Sequence, residues 1–198
     1  MIELNGVTKL YKSVIGVNEI CLALPRGAHG LLGPNGSGKS TLINLITGQL
    51  RPTIGRVQVF GQRPWNNRGV LRRIGLCPEQ DVLYPNVTGL EWVSYLLELY
   101  GFGRSEARRR AEEALERVGL APAMHRKVGE YSRGMRQRAK LAQAIAHEPE
   151  LLILDEPFNG LDPVGRHALT ELLREWVHLG RSVLLASHIL YEVEAITH

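Results

Sequence analysis

The stretch Gly33-Pro34-Asn35-Gly36-Ser37-Gly38-Lys39-Ser40 matches the pattern G-x-x-x-x-G-K-[ST] at every fixed position. A short apolar run, residues 30–32, precedes it, and a helix-like run, residues 40–46, follows. In this pattern the glycines let backbone N–H groups point at phosphate oxygens, and the helix N-terminus and the lysine add positive charge. The alternative, a glycine-rich turn before a helix, leaves the Lys-Ser pair unexplained. The stretch therefore predicts a nucleoside triphosphate site in which Ser40 binds Mg²⁺.

Length and composition set the class of molecule. The chain has 198 residues, of which 44% are hydrophobic and 22% charged, so it can form one well-packed domain with an ordinary core. A disordered or fibrous chain is excluded. The N-terminus lacks a basic region followed by an apolar one, and no apolar run is long enough to cross a membrane. If the chain serves a membrane process, we expect another chain to cross the membrane.

The charge is modestly positive, +4 from 24 basic and 20 acidic residues. Part of the excess lies in two clusters, residues 108–110 and 133–140. The first cluster alternates with Glu106, Glu112 and Glu113 at helical spacing, which predicts a solvated helix face. We therefore expect no nucleic-acid partner.

The two cysteines, Cys21 and Cys77, lie in apolar stretches, and neither belongs to a Cys-x-x-Cys or Cys/His ligand pattern. This pattern predicts reduced, buried thiols, as is usual in cytosolic proteins.

Hydrophobic patterns predict an α/β fold. Strand-like runs are followed by helical periodicity and then by two further strands. The run Leu151-Leu152-Ile153-Leu154 is continuously apolar, as expected of a parallel strand buried on both faces. Predicted strands are 2–7, 20–24, 29–32, 56–60, 73–77, 151–154 and 182–186, and predicted helical segments are 87–100, 107–118, 135–146 and 163–178.

Two adjacent carboxylates, Asp155 and Glu156, end the buried strand and precede Pro157. In a phosphate-loop protein, Asp155 at this point would hold Mg²⁺ directly or through water, and Glu156 would polarise the water that attacks the γ-phosphate. The alternative is a turn or a helix start. The phosphate-binding pattern upstream favours the metal and catalytic roles.

Three segments, taken in order and spacing, resemble an ABC-type ATPase domain over essentially the whole chain: residues 33–40, 131–138 and 151–157. The middle segment resembles the family's signature, which usually reads Leu-Ser-Gly-Gly-Gln at the start of a helix. Ser132 and Gly134 match it, whereas Tyr131, Arg133 and Met135 differ. A hydroxyl and backbone N–H groups at a helix start suit a phosphate. The alternative is plain helix capping by Ser132.

The resemblance implies a fold and further site residues. It implies a RecA-like P-loop NTPase core with a mostly parallel sheet, an N-terminal antiparallel β subdomain and an inserted helical subdomain at about 86–148. Gln80 resembles the glutamine that reaches Mg²⁺ and the attacking water. His188 resembles the histidine that senses the γ-phosphate, with a surface or satisfied histidine as the alternative. Tyr11 resembles the aromatic residue that stacks on adenine, with packing on the sheet as the alternative.

The resemblance also implies a second subunit. In the family, ATP and Mg²⁺ bind the loop from Gly33 to Thr41 of one chain, and Ser132 with Gly134 of another chain close over the γ-phosphate, forming a head-to-tail dimer. Residues 159–162 resemble the loop that crosses between the subunits, although Asp162 before Pro163 is also a good helix N-cap. Hydrolysis at Glu156 then reopens the dimer, with Lys39, Gln80 and His188 assisting.

Spacing separates the branches of the family. From Gln80 to Ser132 is 52 positions (132 minus 80), which suits a compact helical subdomain and is too short for long coiled-coil arms. A single set of motifs disfavours the tandem ribosome-acting type. Residues 86–101 and the signature variant resemble the bacterial efflux branch, so we expect a motor subunit on the cytoplasmic face of the membrane, bound to permease subunits.

Two alternatives remain. The first is a soluble ATP-driven regulatory or repair switch. The second, a small GTPase or nucleotide kinase, leaves the signature segment unexplained and lacks an Asn-Lys-x-Asp motif. Family members usually continue beyond the position of His198 with further strands, so we expect a fragment or a shortened C-terminal part.

Overall fold

The computed structural model describes residues 1–197. In it, runs rich in Val, Ile and Leu form strands, and segments with helical periodicity form helices. Two short 3₁₀ turns, Ala121–Ala123 and Val128–Glu130, join the fourth and fifth helices. In chain order the elements are β1 (Ile2–Tyr11), β2 (Val14–Leu24), β3 (Ala28–Leu32), α1 (Lys39–Ile46), β4 (Ile54–Val59), α2 (Arg68–Leu71), β5 (Ile74–Cys77), α3 (Gly89–Tyr100), α4 (Arg104–Arg117), α5 (Arg133–Ile145), β6 (Leu151–Asp155), α6 (Pro163–His178), β7 (Ser182–Ser187) and α7 (Leu190–Thr197).

The strands form two sheets. Strands β2, β1 and β4 pair antiparallel in that order. Strands β3, β7, β6 and β5 pair in parallel in that order. The parallel sheet and the separate antiparallel sheet confirm the predicted fold class.

Strand β6 shows most clearly how an apolar sequence places a strand in the middle of the fold. All five of its residues are buried. Leu152 and Leu154 join the apolar core formed with α3 to α6, whereas Leu151 and Ile153 join the core formed with α1 and the antiparallel sheet. Successive side chains of a strand point to opposite faces, so a continuously apolar strand requires cover on both faces.

Parallel pairing brings four strand ends to one edge of the sheet. The loop of residues 33–38 follows β3, the segment of residues 78–80 follows β5, Glu156 follows β6, and His188 follows β7. The carboxyl edge of a parallel sheet is where α/β proteins bind ligands. The sheet therefore brings most of the predicted site residues to the same edge.

Helices α3, α4 and α5 follow one another between β5 and β6. Helix α3 begins with a capping box, in which the Glu91 N–H donates to Thr88 Oγ1 at 3.1 Å and the Thr88 N–H donates to Glu91 Oε2 at 2.8 Å. On α4, Arg108 pairs with Glu112 at the surface, as the predicted solvated face requires. The helices share one apolar core with a face of the parallel sheet, and the subdomain at 86–148 stays a prediction.

The sequence-based interpretation was wrong at Cys21 and incomplete at three elements. Cys21 is exposed, whereas Cys77 is buried as predicted. Strand β2 is an edge strand with one face toward solvent, and Cys21 lies on that face. The first part of β2 and the helices α2 and α7 were not predicted. The prediction about the C-terminal end falls on His198, outside the described residues.

Candidate active site

The glycine-rich loop between β3 and α1 has a backbone that only glycine adopts easily. Gly36 and Gly38 have φ angles of 81° and 94°, in the left-handed region. At Gly38 space is also lacking, because an added Cβ would lie 2.7 Å from the Gly16 carbonyl oxygen. Gly38 is the N-cap of α1, so the unpaired N–H groups of the first helical turn border the loop. This arrangement suits an anion.

Lys39 is nearly buried at 8% exposure, and its ammonium group lies inside the loop. Nζ donates to the Gly33 carbonyl at 2.6 Å and to the Pro34 carbonyl at 3.2 Å. It also lies 3.8 Å from Glu156 Oε1. An ammonium group has three N–H donors, so two carbonyls leave one donor for a further acceptor such as a phosphate oxygen. The loop and Lys39 therefore fit a polyphosphate.

Asp155 and Ser40 form an oxygen-rich pair at the sheet edge. Ser40 Oγ donates to Asp155 Oδ2 at 3.1 Å. The other oxygen, Asp155 Oδ1, is buried without a hydrogen-bond partner within residues 1–197. Burial raises the pKa of this carboxyl, the Ser40 hydrogen bond opposes the shift, and the nearby Glu79 and Glu156 raise it further. Burial disfavours the charged form of this carboxylate, and a bound cation would stabilise that form.

These donors fit Mg²⁺. Residues 1–197 contain no group of three or more His, Cys, Asp or Glu side chains arranged to hold a metal ion. Mg²⁺ usually takes one or two protein oxygens and completes its shell with waters and substrate phosphates. Ser40 and Asp155 supply that number beside the phosphate loop.

Glu156 is 4% exposed and lies between two potential cations. His188 Nδ1 lies 2.9 Å from each of its carboxylate oxygens, and Lys39 Nζ lies on another side. The Glu156 backbone has a φ of 49°, which is strained for a residue other than glycine. Its N–H donates to the Ala186 carbonyl of β7 at 2.9 Å, which ties it to the strand that precedes His188. Such a carboxylate can orient a water molecule and accept its proton.

Supporting contacts hold the segment of His188. Ser187 Oγ donates to Glu192 Oε2 at 2.6 Å and accepts from the Ile189 N–H at 3.0 Å. Arg166 Nη1 donates to the buried Glu192 at 2.7 Å. This network could not be predicted from the sequence, because Arg166 is 26 residues from Glu192 and belongs to no motif.

Tyr11 borders the same site from the antiparallel sheet. Its ring lies over Gly16, where an added Cβ would be 2.6 Å from Cε2, and its hydroxyl lies 3.4 Å from Thr41 Oγ1. The ring is 41% exposed. It lines a cavity of about 550 Å³ together with residues of the phosphate loop, Asp155 and Glu156. The geometry is compatible with both predicted roles, adenine stacking and packing on the sheet.

Gln80 lies in a second cavity at the same edge, of about 430 Å³, which is also lined by Ser40 and Asp155. Glu79 also lines both cavities, although it was not predicted as a site residue. The structure therefore brings together Lys39, Ser40, Asp155, Glu156 and His188, with Gln80 and Tyr11 on two sides.

The signature segment lies apart from these residues. Ser132 is the N-cap of α5, and its Oγ accepts from the Met135 N–H at 3.2 Å. Within residues 1–197, neither cavity beside the phosphate loop is lined by Ser132 or Gly134. Asp162 caps α6 by accepting from the Gly165 N–H at 3.0 Å, as its capping role predicts. The capping role of Ser132 is therefore satisfied within the chain.

Comparison with known proteins gives a consistent result. The family profile described as "ABC transporter" matches residues 17–159. The chain is 40% identical over 199 residues to the bacitracin transport ATP-binding protein BcrA of Enterococcus faecalis, covering 99% of this chain and 64% of that protein. It is 35% identical to the lantibiotic transport ATP-binding protein SrtF of Streptococcus pyogenes, covering 98% of this chain and 82% of SrtF.

A solved structure agrees with the sequence relatives. The dimeric, post-hydrolysis state of the ATP-binding cassette MJ0796 bound to ADP and Pi has a TM-score of 0.91 and 28% identity, covering 99% of this chain and 91% of that chain. The chain spans between 56% and 65% of the length of seven of its curated relatives. Among residues 1–197, no helix is both long and apolar enough to cross a membrane.

Proposed function

Because the chain belongs to the ABC transporter family of ATP-binding proteins, we propose that it is the ATP-hydrolysing motor of a transporter. The chain forms a single ATPase domain over residues 1–198 with a helical subdomain at about 86–148. The observation that carries the proposal is the position of Glu156, whose carboxylate lies between Lys39 Nζ and His188 Nδ1 at the edge of the phosphate loop. A fixed carboxylate beside a polyphosphate cradle supports hydrolysis as well as binding.

The contacts within the site support the following roles. The loop from Gly33 to Thr41 binds the phosphates through its N–H groups and Lys39. Ser40, Asp155 and Gln80 would hold Mg²⁺, which would supply positive charge to the phosphates. Glu156 orients the attacking water and accepts its proton, and ATP and water become ADP and phosphate. His188 fixes the Glu156 carboxylate by donating from Nδ1, and Tyr11 stacks on the adenine ring.

We further propose that the complete site forms between two chains, either two copies or this chain and a homologue. Ser132 and Gly134 are exposed or partly exposed at the start of α5, away from the phosphate loop of their own chain. In a head-to-tail dimer they would face the γ-phosphate of the second chain, with residues 159–162 between them. Two solved structures of one protein with this fold, MJ0796, are described as dimeric, which supports this arrangement.

The transport direction we propose is export. The names of several relatives refer to bacitracin transport, lantibiotic transport and linearmycin resistance. The chain would act at the cytoplasmic face of the membrane through separate membrane-spanning subunits. Those subunits would contact the cavity lined by Gln80, Val82, Leu96 and Tyr100 at the junction of the core and the helices.

The test of hydrolysis is the variant Glu156→Gln, which keeps the size of the side chain and removes its basicity. We expect turnover to fall by about 10²–10⁴-fold while ATP still binds, so that ATP-bound dimers accumulate in size-exclusion chromatography. Glu171→Gln is the control, because Glu171 lies on the surface of α6 and, among residues 1–197, pairs only with Arg174. Normal hydrolysis by Glu156→Gln would show that another group activates the water.

The test of the transport role is copurification from the native host. A tagged chain should bring down a polytopic membrane protein, and added permease should stimulate its ATPase activity. Copurification of soluble proteins alone, with unchanged ATPase activity, would favour the regulatory or repair switch instead.

A further inference from the structure

Lys140 of α5 is a charged residue in an unusual place. Its side chain is only 2% exposed. Nζ donates to three consecutive backbone carbonyls, those of Pro78 at 2.9 Å, Glu79 at 2.8 Å and Gln80 at 3.4 Å. Burying an ammonium group is costly unless each of its donors finds an acceptor. The three carbonyls meet that requirement, so the side chain and the segment 78–80 fix each other.

Two neighbouring residues of α5 make parallel contacts. Arg136 Nε donates to Asp81 Oδ2 at 2.9 Å, which adds a contact to the residue after Gln80. Gln137 Nε2 donates to the Pro157 carbonyl at 2.9 Å, immediately after Glu156. Helix α5 is therefore bonded to both segments that carry the proposed catalytic side chains. The same helix begins at Ser132.

We propose that Lys140 is a positioning residue, whose ammonium group holds the backbone of residues 78–80 so that the Gln80 side chain reaches the cavity of Ser40 and Asp155. The inference rests on the proposed ATPase function and assigns a role to a residue outside every recognised motif. Through this contact, the location of Gln80 is tied to the helix that presents Ser132 to the second chain. Lys140 acts through Gln80 and has no contact with the phosphate loop.

A purely structural role makes a different prediction. If Lys140 only stabilises the fold, its loss lowers stability and reduces activity independently of Gln80. If it positions Gln80, its loss has no further effect once the Gln80 side chain is absent. A double-mutant cycle separates the two cases, because residues that act as one unit have non-additive effects.

The experiment compares Lys140→Met, Gln80→Ala and the double variant. Methionine keeps much of the volume and removes the three donors. We expect Lys140→Met to lower kcat by about 10- to 100-fold, as for a misplaced catalytic group, with little change in the affinity for a fluorescent ATP analogue. The double variant should be no slower than Gln80→Ala. If Lys140→Met does not fold, Lys140→Gln replaces it.

Leu141→Ala is the matched control. Leu141 is the next residue of α5, is 5% exposed and packs in the apolar core. Its truncation should destabilise the fold without touching residues 78–80, and its effect on kcat should add to that of Gln80→Ala. A readout without nucleotide is cleavage by a glutamyl endopeptidase after the exposed Glu79, which lies inside the segment 78–80. Cleavage should become several times faster in Lys140→Met than in Leu141→Ala.

The outcomes separate the two proposals. If the wild-type chain hydrolyses ATP but the effects of Lys140→Met and Gln80→Ala add, the positioning role is wrong and the ATPase function stands. Unchanged cleavage at Glu79 would also overturn the positioning role. A wild-type chain that binds ATP without hydrolysing it would refute the proposed function, and the cleavage assay would still test whether Lys140 holds the segment.

Discussion

Acidification is expected to destabilise the protein through a partly buried imidazole, that of His147. This residue follows α5, and its ring is stacked on Tyr100 with centroids 4.2 Å apart. Nε2 lies 3.0 Å from the Ile74 carbonyl, and Nδ1 is buried without a partner within residues 1–197. Burial lowers the pKa of His147 to about 4; the Ile74 hydrogen bond opposes this shift, and the charge of Arg110 adds to it. The folded protein therefore keeps His147 neutral.

The sign and size of the effect follow from linkage. In the unfolded chain the imidazole has its ordinary pKa of about 6.5, so between pH 6.5 and pH 4 the unfolded chain binds more protons than the folded chain. Stability is therefore lost as the pH falls through that window. The contribution of His147 is about 2 kcal/mol between pH 7 and pH 5, and about 3 kcal/mol by pH 4. For a chain of this size, 2 kcal/mol corresponds to about 4–8 °C in Tm.

The assay is urea unfolding at pH 7 and pH 5 for the wild type, His147→Gln and His125→Gln. Glutamine does not titrate, so His147→Gln should lose about 2 kcal/mol less stability than the wild type over this range. His125 is exposed and serves as the control, which should follow the wild type. Equal losses in the wild type and His147→Gln would refute the argument, because the imidazole would then be protonated in the folded state as readily as in the unfolded chain.

Two further predictions concern single substitutions in the site. Gly38→Ala should lower the Tm more than Gly36→Ala. Both glycines have positive φ, but the new Cβ would lie 2.7 Å from the Gly16 carbonyl oxygen at Gly38, whereas nothing lies within 4 Å at Gly36. An equal drop in Tm by differential scanning calorimetry would contradict this prediction. Asp155→Asn should raise the Tm of the nucleotide-free protein at pH 7, since burial raises the pKa of Asp155 and its charged form therefore destabilises the fold at that pH. The same variant should need a higher Mg²⁺ concentration for half-maximal ATPase activity. An unchanged Mg²⁺ requirement would show that Asp155 is not a metal ligand.

The parts of the molecule that could be predicted from the sequence depend on local patterns. The phosphate loop needs particular glycines and a Lys-Ser pair between a strand and a helix, so its chemistry appears in eight consecutive residues. Strand β6 is buried on both faces, and its apolar residues are therefore also consecutive. In both cases one short segment contains the whole physical requirement, and the predicted fold class is confirmed.

Edge elements were predicted less well because their burial and strand register depend on neighbouring elements that are distant in the sequence. In β2 the pattern is irregular, with Glu19 at a φ of 49° and shifts in register against β1. Solvent covers one face of this strand, so apolar neighbours in the sequence did not imply burial of Cys21. The roles assigned to the site residues stay predictions, although the fold places five of them within one site.

Lys140 shows why a charged residue can escape sequence analysis. Its three acceptors are backbone carbonyls 60 to 62 positions away in the sequence. Every residue has a backbone carbonyl, so the residue types at these positions do not indicate the contact. The helical pattern of α5 alone would place a lysine at the surface. Only the packing of α5 against the end of β5 reveals that this lysine is buried and bonded.

The same contacts constrain how the proposed motor could work. Helix α5 begins at Ser132, the residue proposed to contact the phosphate of a second chain, and it holds the segment of Gln80 through Lys140 and that of Glu156 through Gln137. A shift of residues 78–80 must therefore either carry α5 with it or break three hydrogen bonds to a buried ammonium group. Because a buried ammonium group that loses its hydrogen-bond acceptors is costly, even with Asp81 Oδ1 3.7 Å away, the concerted shift is favoured, and in the proposed dimer an occupied site in one chain would reorient the surface that closes the site of its partner.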